Sequence, residues 1–401
     1  MDPSPEPVTS HHRRSPVWQE RVAILGRLPA VDGLGARPVQ QSDDLEAARE
    51  GDSAAFGRLV EPYRVELHAH CYRMLGSVHD AEDALQEASL RAWRGLARFE
   101  GRSSLRSWLY KIATNTCLNQ IARRPKRVLP LDYGPAADPH QAPPGEPVVE
   151  SVWIEPYPDE HIGIEDGLAS PEARYEQRES VELAFTAALQ HLPATQRAVL
   201  ILREVLGFSA REVADSLETT PASVNSALQR ARKTVDERLP EQSQQATLRS
   251  LGDRRLRDVV QGYMDAMGRG DVDRVVAMLA KDAAWSMPPL ASWYRGHDAI
   301  AQFLAIGPLS GEWRWRHLPA HVSGQAAIGS YSWDAASESY LPFALDVLTL
   351  RGTEVQEITS FITRALAGRD DPDYYVRFPD QVQDPARLAA FEQFGLPGRL
   401  D

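Results

Sequence analysis

Between residues 191 and 239 the chain carries a punctuated run of helical segments that constrains its fold more than any other stretch. A helix is expected from Ala194 to Glu204, with Val199, Leu200, Leu202 and Val205 on one face and Gly207 as its stop. Ser209 caps the next helix and Glu212 follows three residues later, so hydroxyl and carboxylate can each satisfy a free backbone N–H. That helix reaches Leu217 and buries Val213, Ala214 and Leu217. After the turn Glu218-Thr219-Thr220, Pro221 opens a third helix, where its fixed φ and missing donor cost nothing. Val224, Ala227 and Leu228 face inward; Ser223, Asn225, Ser226, Gln229, Arg230, Arg232 and Lys233 face outward. Residues 221–233 hold three cations and no acid. This is a helix-turn-helix, a unit that seats its last helix in the major groove of DNA, early polar residues at base edges and later cations at phosphates. The competing reading is a small bundle with an ordinary solvated face.

A chain of 401 residues, 43% hydrophobic and 25% charged, predicts two or three globular domains. Its net charge of −12 argues against a nucleic-acid binder until the distribution is read. Residues 89–127 contain ten Arg or Lys and one acid, Glu100. That is the footprint of a polyanion site. Residues 131–180 invert it, with twelve acids, two Arg and prolines at 135, 139, 143, 144, 147, 156, 158 and 171, which predicts an extended acidic linker over 128–174. The linker offsets the basic surfaces and presents the charge of a nucleic-acid strand; Val152, Trp153 and Ile154 offer it a docking point. No apolar run is long enough to span a bilayer and no secretory signal opens the chain, so a cytoplasmic protein without a membrane partner is expected. Cys71 and Cys117 lie in apolar helical patterns and read as reduced core thiols. No metal site and no cofactor is expected.

In chain order, residues 1–42 lack periodicity and read as a disordered arm. Residues 43–127 are helical. Phe56, Leu59, Val60, Tyr63, Leu67, Cys71 and Leu75 form one apolar stripe, and Asp80 is expected to cap a helix that leaves Asp80, Asp83, Gln86 and Glu87 exposed. An acidic first turn suits the helix dipole and equally suits docking on a basic partner. A glycine loop then leads into a helix from Ser104 to Arg124, on which Lys111, Asn115, Asn119 and Arg123 make a polar stripe. Cations alternating with Phe99, Trp108 and Tyr110 fit a site for an unpaired strand, the cations tracking phosphate and the rings stacking on bases. Trp108 can equally be core. Beyond the third-helix unit (175–240) a polar hinge, 240–253, leads to residues 254–367, which read as helices followed by a meandering antiparallel sheet, an α+β plan. The tail, 368–401, ends in a short amphipathic helix with Leu388, Phe391 and Phe394.

GDSAAFGRLVEPY, DAEDALQEASLRAW, FEGRSSLRSWLYKIATN and LPATQRAVLILREVLGFSAREVADSL with SVNSALQRARK resemble, in order, the extracytoplasmic-function sigma factors of bacterial RNA polymerase. WSMPP, WYRGHDAI and the late strands resemble a SnoaL-like member of the NTF2-like superfamily. The resemblance implies two all-α sigma domains joined by the linker, then an NTF2-like cone. It implies partners: core RNA polymerase, through the clamp helices of its largest subunit and through its flap; promoter DNA, duplex and single-stranded; and an anti-sigma factor. Asp80, Asp83, Gln86 and Glu87 would dock on polymerase. Arg98, Phe99, Arg102, Ser103, Arg106, Trp108, Lys111, Asn115, Asn119 and Arg123 would take the −10 element. Ser223, Asn225, Ser226, Gln229, Arg230, Arg232 and Lys233 would read the −35 element, and the linker would thread through the polymerase. No catalytic residue is expected. A cone of this kind encloses a pocket, for which Trp285, Trp293, His297, Trp313, Trp315, Tyr331 and Asp346 are candidates, with Tyr294, His317 and Asp298 nearby in sequence. Regulation in cis, ligand sensing and small-molecule isomerase or cyclase chemistry remain open for this domain.

Overall fold

The computed structural model describes residues 38–141, 148, 152–162, 177–362 and 389–401. The disordered arm expected over 1–42 lies outside them, except that 38–42 belong to the first helix. Helices α1 (Pro38–Arg49), α2 (Ser53–Val60), α3 (Arg64–Leu75), α4 (Val78–Gly95) and α5 (Leu105–Ile121) form the first bundle. Asp52 caps α2, Ser77 caps α4 and Ser104 caps α5, each side chain accepting a first-turn N–H. Asp80 was expected to cap α4. It sits one turn inside instead, because Ser77 is the residue held in extended backbone.

The second helical unit is α6 (Leu183–Gln190), α7 (Ala194–Leu200, running on through a π turn at Ile201–Val205), α8 (Ala210–Ser216) and α9 (Pro221–Asp236). Ser209 and Glu212 make the expected reciprocal cap, Gly207 takes a left-handed φ of 72°, and Pro221 opens α9. The two units are not separate cores. Tyr72, Met74, Tyr110 and Cys117 of the first and Phe185, Leu189, Val199, Leu202 and Phe208 of the second belong to one continuous apolar cluster. Arg197 is bolted across the seam, donating to the carbonyls of Met74, Gln190 and Leu192 and, at 2.5 Å, to Gln190 Oε1.

In its described parts, 128–141 and 152–162, the linker is not the extended tether its proline content predicts. A helical turn forms at Pro130–Tyr133, and Trp153, Ile154 and Tyr157 are buried. Val128 N donates to the Val152 carbonyl and accepts at its own carbonyl from Ile154 N, a strand-like pairing, and Trp153 stands beside Tyr133 with ring centroids 5.2 Å apart. Prolines forbid a long helix but not short pieces pinned by apolar side chains.

The expected hinge after α9 is likewise ordered. It opens α10 (Gln244–Arg269), with a non-helical break at Gly252, and is followed by α11 (Val272–Ala277) and α12 (His297–Ile306). Six strands, β1 (Leu279–Ser286), β2 (Trp293–Arg295), β3 (Trp315–Val322), β4 (Gln325–Asp334), β5 (Ser339–Arg351) and β6 (Glu354–Ile362), lie in the order β2-β1-β6-β5-β4-β3. The sheet is mixed rather than a pure antiparallel meander, since β1 runs parallel to β6. Its inner face closes on α10 and α12 through Tyr263, Trp285, Tyr294, Phe303 and Ile358. Its outer face is also buried, against Leu129, Ile154, Leu183, Phe391 and Leu396, which come from the linker, α6 and the tail. Both faces being covered explains why β4 and β5 are buried almost throughout, as in sheets sandwiched between two layers. In the tail, Phe391 and Leu396 are buried and Phe394 is partly so; Leu388 lies outside the described side chains.

Candidate nucleic-acid interface

Two helices carry the polar faces that the sequence assigns to DNA, and they meet the rest of the molecule differently. On α9, Ser223, Asn225, Ser226, Gln229, Arg230 and Lys233 are exposed, while Val224, Ala227, Leu228 and Ala231 form its buried side. Arg232 departs from the expectation. It folds back to a 2.5 Å ion pair with Glu204, a carboxylate buried under α9, so its charge neutralises an internal acid.

On α5 and the loop before it, Arg98, Arg102, Ser103, Asn119 and Arg123 are exposed and Asn115 is half-buried. Arg102 pairs with Glu100. Phe99 is buried and Trp108 half-buried, the two rings 4.9 Å apart and Trp108 closing over Gly95. Phe99 is therefore no free stacking platform, and Trp108 has one face in the core. Arg106 is held by Glu66 at 2.9 Å and stacks over the rings of Tyr110 and Phe208. Lys111 donates to the carbonyl of Asp215 at 3.1 Å and stands 3.4 Å from the Glu218 carboxylate. Phe208, Asp215 and Glu218 belong to the helix-turn-helix unit. The helix-turn-helix unit thus lies directly on the first half of α5.

The acidic helix α4 also differs from expectation at one residue. Asp83 and Gln86 are exposed, and Glu87, half-exposed, pairs with Arg91 at 2.7 Å. Asp80 is buried, bound by Arg124 and by Arg127 at 2.7 Å, and is not available for docking. Beside it, Glu155 of the linker accepts from Ser77 Oγ at 2.9 Å and from Val78 N at 2.8 Å, so a linker carboxylate sits on the positive end of α4. Burial alone would raise the Glu155 pKa, but its hydrogen bond to His79 and the charge of Arg127 hold it below the ordinary carboxylate value.

The residues that enforce this closed arrangement were not singled out by sequence. Tyr157 packs against Tyr72 with ring centroids 4.4 Å apart, its hydroxyl lies 2.8 Å from His68 Nδ1, and its backbone exchanges two hydrogen bonds with Ser323 at the β3–β4 turn. Ser323 and Gly324 have φ of 54° and 68°, the two-residue turn whose twist matches its strands. A Cβ on Gly324 would meet the Arg178 carbonyl at 2.8 Å, so the turn can approach the chain leading into α6 only as glycine. Glu182 caps α10 through Gln244 N and Gln245 N, and the Gln245 side chain donates to the Gly324 carbonyl. A Ser-Gly pair and a Glu-rich leader are commonplace in sequence; only their meeting gives them a role.

In the C-terminal cone, Trp285, Trp313, Trp315 and Asp346 line an apolar cavity with His317, Phe343 and Ser330. The other candidates point elsewhere. Trp293 donates to the Gly134 carbonyl at 2.8 Å, His297 Nε2 binds the Leu279 and Ala280 carbonyls, and Tyr331 packs on Phe391 on the opposite face of the sheet. Alternation along β4 decides the last case, since Ser330 and Tyr331 must face opposite ways. Asp298 is exposed, 3.5 Å from His140. Among the described residues no cluster of three or more His, Cys, Asp or Glu could hold a metal, and no helix is long and apolar enough to cross a membrane. Cys71 and Cys117 are buried free thiols.

The chain matches three family models: Sigma-70 region 2 over residues 59–127, Sigma-70 region 4 over 182–235 and the SnoaL-like domain over 260–369. It is 43% identical over 326 residues to the ECF RNA polymerase sigma factor SigG of Mycobacterium tuberculosis, spanning 79% of this chain and 83% of that one. It is 30% identical over 200 residues to the RNA polymerase sigma-H factor of Pseudomonas aeruginosa, across 50% of this chain and 94% of that one. Among solved structures it is similar to the extracytoplasmic function sigma factor SigJ of Mycobacterium tuberculosis, with 22% identity, a TM-score of 0.47, and coverage of 80% of this chain and 98% of that one. The chain belongs to the extracytoplasmic-function sigma factors of RNA polymerase, in a form that carries a SnoaL-like domain behind its helix-turn-helix.

Proposed function

We propose that this alternative sigma factor initiates transcription through two DNA-reading faces which its own linker and C-terminal domain hold closed against each other. Sigma factors bind core RNA polymerase and promoter DNA, and the division of labour follows from what is exposed. Ser223, Asn225, Ser226 and Gln229 of α9 read base edges of the −35 element, with Arg230 and Lys233 on phosphates. Arg98, Arg102, Ser103, Asn115, Asn119 and Arg123 engage the −10 element with the free face of Trp108, joined by Lys111 once region 4 moves away, while Arg106 stays paired with Glu66. Asp83, Gln86 and Glu87 dock on the clamp helices of the largest subunit, and region 4 on the flap. The C-terminal domain acts as a regulator in cis and not as an enzyme; an anti-sigma factor is a further partner.

The observation that carries the closed state is the contact of Lys111 with Asp215 and Glu218, which covers the −10 helix with the −35 unit. The C-terminal domain supports it from behind. Ser323 Oγ accepts from Tyr157 N and Gly324 N donates to Asp159, so the β3–β4 turn grips the linker, and the covalent tether keeps that contact at high effective concentration. Asp159→Ala in the full chain removes one grip far from either DNA face. Expected are a larger radius of gyration in solution scattering and several-fold more promoter-dependent transcript with core polymerase. Unchanged dimensions together with unchanged transcript would refute regulation in cis.

A further inference from the structure

The cone holds a cavity of about 110 Å³ whose walls are Met267, Trp285, Met287, Phe303, Trp313, Trp315 and Phe343. Trp313 and Trp315 stack at 5.5 Å, and Phe343 stands edge-on to both. An apolar cavity of roughly 150 Å³ accepts benzene; this one is smaller, so a six-membered ring enters it as the flexible Met267 and Met287 side chains give way.

One wall is polar and ordered. Asp346 is fully buried and accepts from Ser330 Oγ at 2.8 Å and from the Tyr263 hydroxyl at 3.3 Å. Trp285 Nε1 donates to Ser360 Oγ at 3.0 Å, and Ser360 in turn bonds Asp346. His317 Nδ1 lies 3.1 Å from the same Ser330 Oγ. Because Ser330 spends its proton on Asp346, its lone pair must receive the His317 Nδ1 proton. That fixes the tautomer and leaves Nε2 as a bare acceptor. Among the described residues Nε2 has no hydrogen-bond partner although it is shut off from solvent. Burial keeps the ring neutral, its pKa pushed down to about 4. A buried acceptor without a donor costs free energy that a bound donor would recover.

We propose that this cavity binds a compact, uncharged, ring-sized apolar molecule bearing one hydroxyl or N–H group, which donates its hydrogen bond to His317 Nε2. The lining contains no Lys or Arg to pair with an anion. Asp346 is not free as counter-ion to a cation, since the hydroxyls of Ser330, Tyr263 and Ser360 already occupy it. The aromatic walls supply the binding energy and the single acceptor supplies selectivity. The proposal deepens the regulatory reading of this domain but binding is measured apart from transcription, so failure of one leaves the other standing.

The test titrates the full-length protein with phenol, toluene, cyclohexanone and cyclohexylammonium, following the indole N–H resonances of Trp285 and Trp315. Phenol should bind roughly tenfold tighter than toluene, the worth of one net hydrogen bond. His317→Phe should erase that preference, and Ser330→Ala, which frees the imidazole to take either tautomer, should reduce it if the histidine variant fails to fold. Equal binding of phenol and toluene would overturn the assigned acceptor. Preference for cyclohexanone would mean that Nε2 carries the proton. Tightest binding of cyclohexylammonium would replace the proposal by a cation cage on Asp346, and no binding of any probe would remove it.

Discussion

Helices α5 and α9 were written in the same chemical language, an apolar stripe opposite a cationic, polar one, yet their outcomes are opposite. The polar face of α9 stands in solvent apart from Arg232, whereas Arg106 and Lys111 in the first half of α5 are engaged by Glu66, Phe208, Asp215 and Glu218. A stripe of cations therefore encodes a capacity to bind a polyanion, and tertiary structure decides whether it is accessible. The same contrast runs inside α9, where Arg230 is exposed and Arg232 is spent on Glu204.

The most severe way to break the comparison is to attack what holds α5 covered. Tyr157→Ala empties a fully buried site between α3 and the β3–β4 turn and should cost about 3–5 kcal/mol in urea unfolding of the whole protein. A linker serving only as a spacer would tolerate the change. Next in size is the pair on α9. Arg232→Ala leaves the Glu204 carboxylate buried without its cation and should lose about 1–3 kcal/mol of stability. Arg230→Ala should leave the melting temperature unchanged and instead lower promoter-duplex affinity, with the log–log salt slope shallower by roughly 0.9. If the two variants behaved alike in both measurements, the distinction between a structural and a DNA-facing arginine would fall.

A smaller effect comes from acid. His70 is buried against Thr114 at 2.9 Å, and burial first, then the charges of Arg73 and Arg106, push its pKa from 6.5 down to about 3. Its folded pKa is lowered, so its contribution is intact above pH 6.5 and is lost as pH falls from there toward 3, by at most about 1.4 kcal/mol per pH unit. Urea midpoints at pH 7, 6 and 5 should fall less steeply in His70→Gln than in the parent; parallel curves would mean that His70 is not a neutral brace under α5. The smallest effect on stability is expected for Glu218→Gln. An exposed ion pair contributes below about 1 kcal/mol, but its loss should tighten binding of a single-stranded −10 oligonucleotide by freeing Lys111. Unaltered binding would show that the contact does not limit access to α5.

Much of the molecule is written locally. The Ser209–Glu212 cap, the Gly207 stop, Pro221 and the inward spacing of Val224, Ala227 and Leu228 specify the helix-turn-helix residue by residue, because each is a contact within a turn or two of the chain. Charge segregation likewise marks which segments face a polyanion. The fates of Asp80, Arg232, Phe99, Trp293, His297 and Tyr331 were decided by partners elsewhere in the chain: Arg127, Glu204, Leu59, Gly134, Leu279 and Phe391. The same holds for the linker, where proline content forbids a long helix but says nothing of Trp153, Ile154 and Tyr157 finding cores to enter. Periodicity states which side of an element is apolar. Which surface covers it, and therefore which charges remain free to meet DNA, depends on packing between segments that only the folded chain brings together.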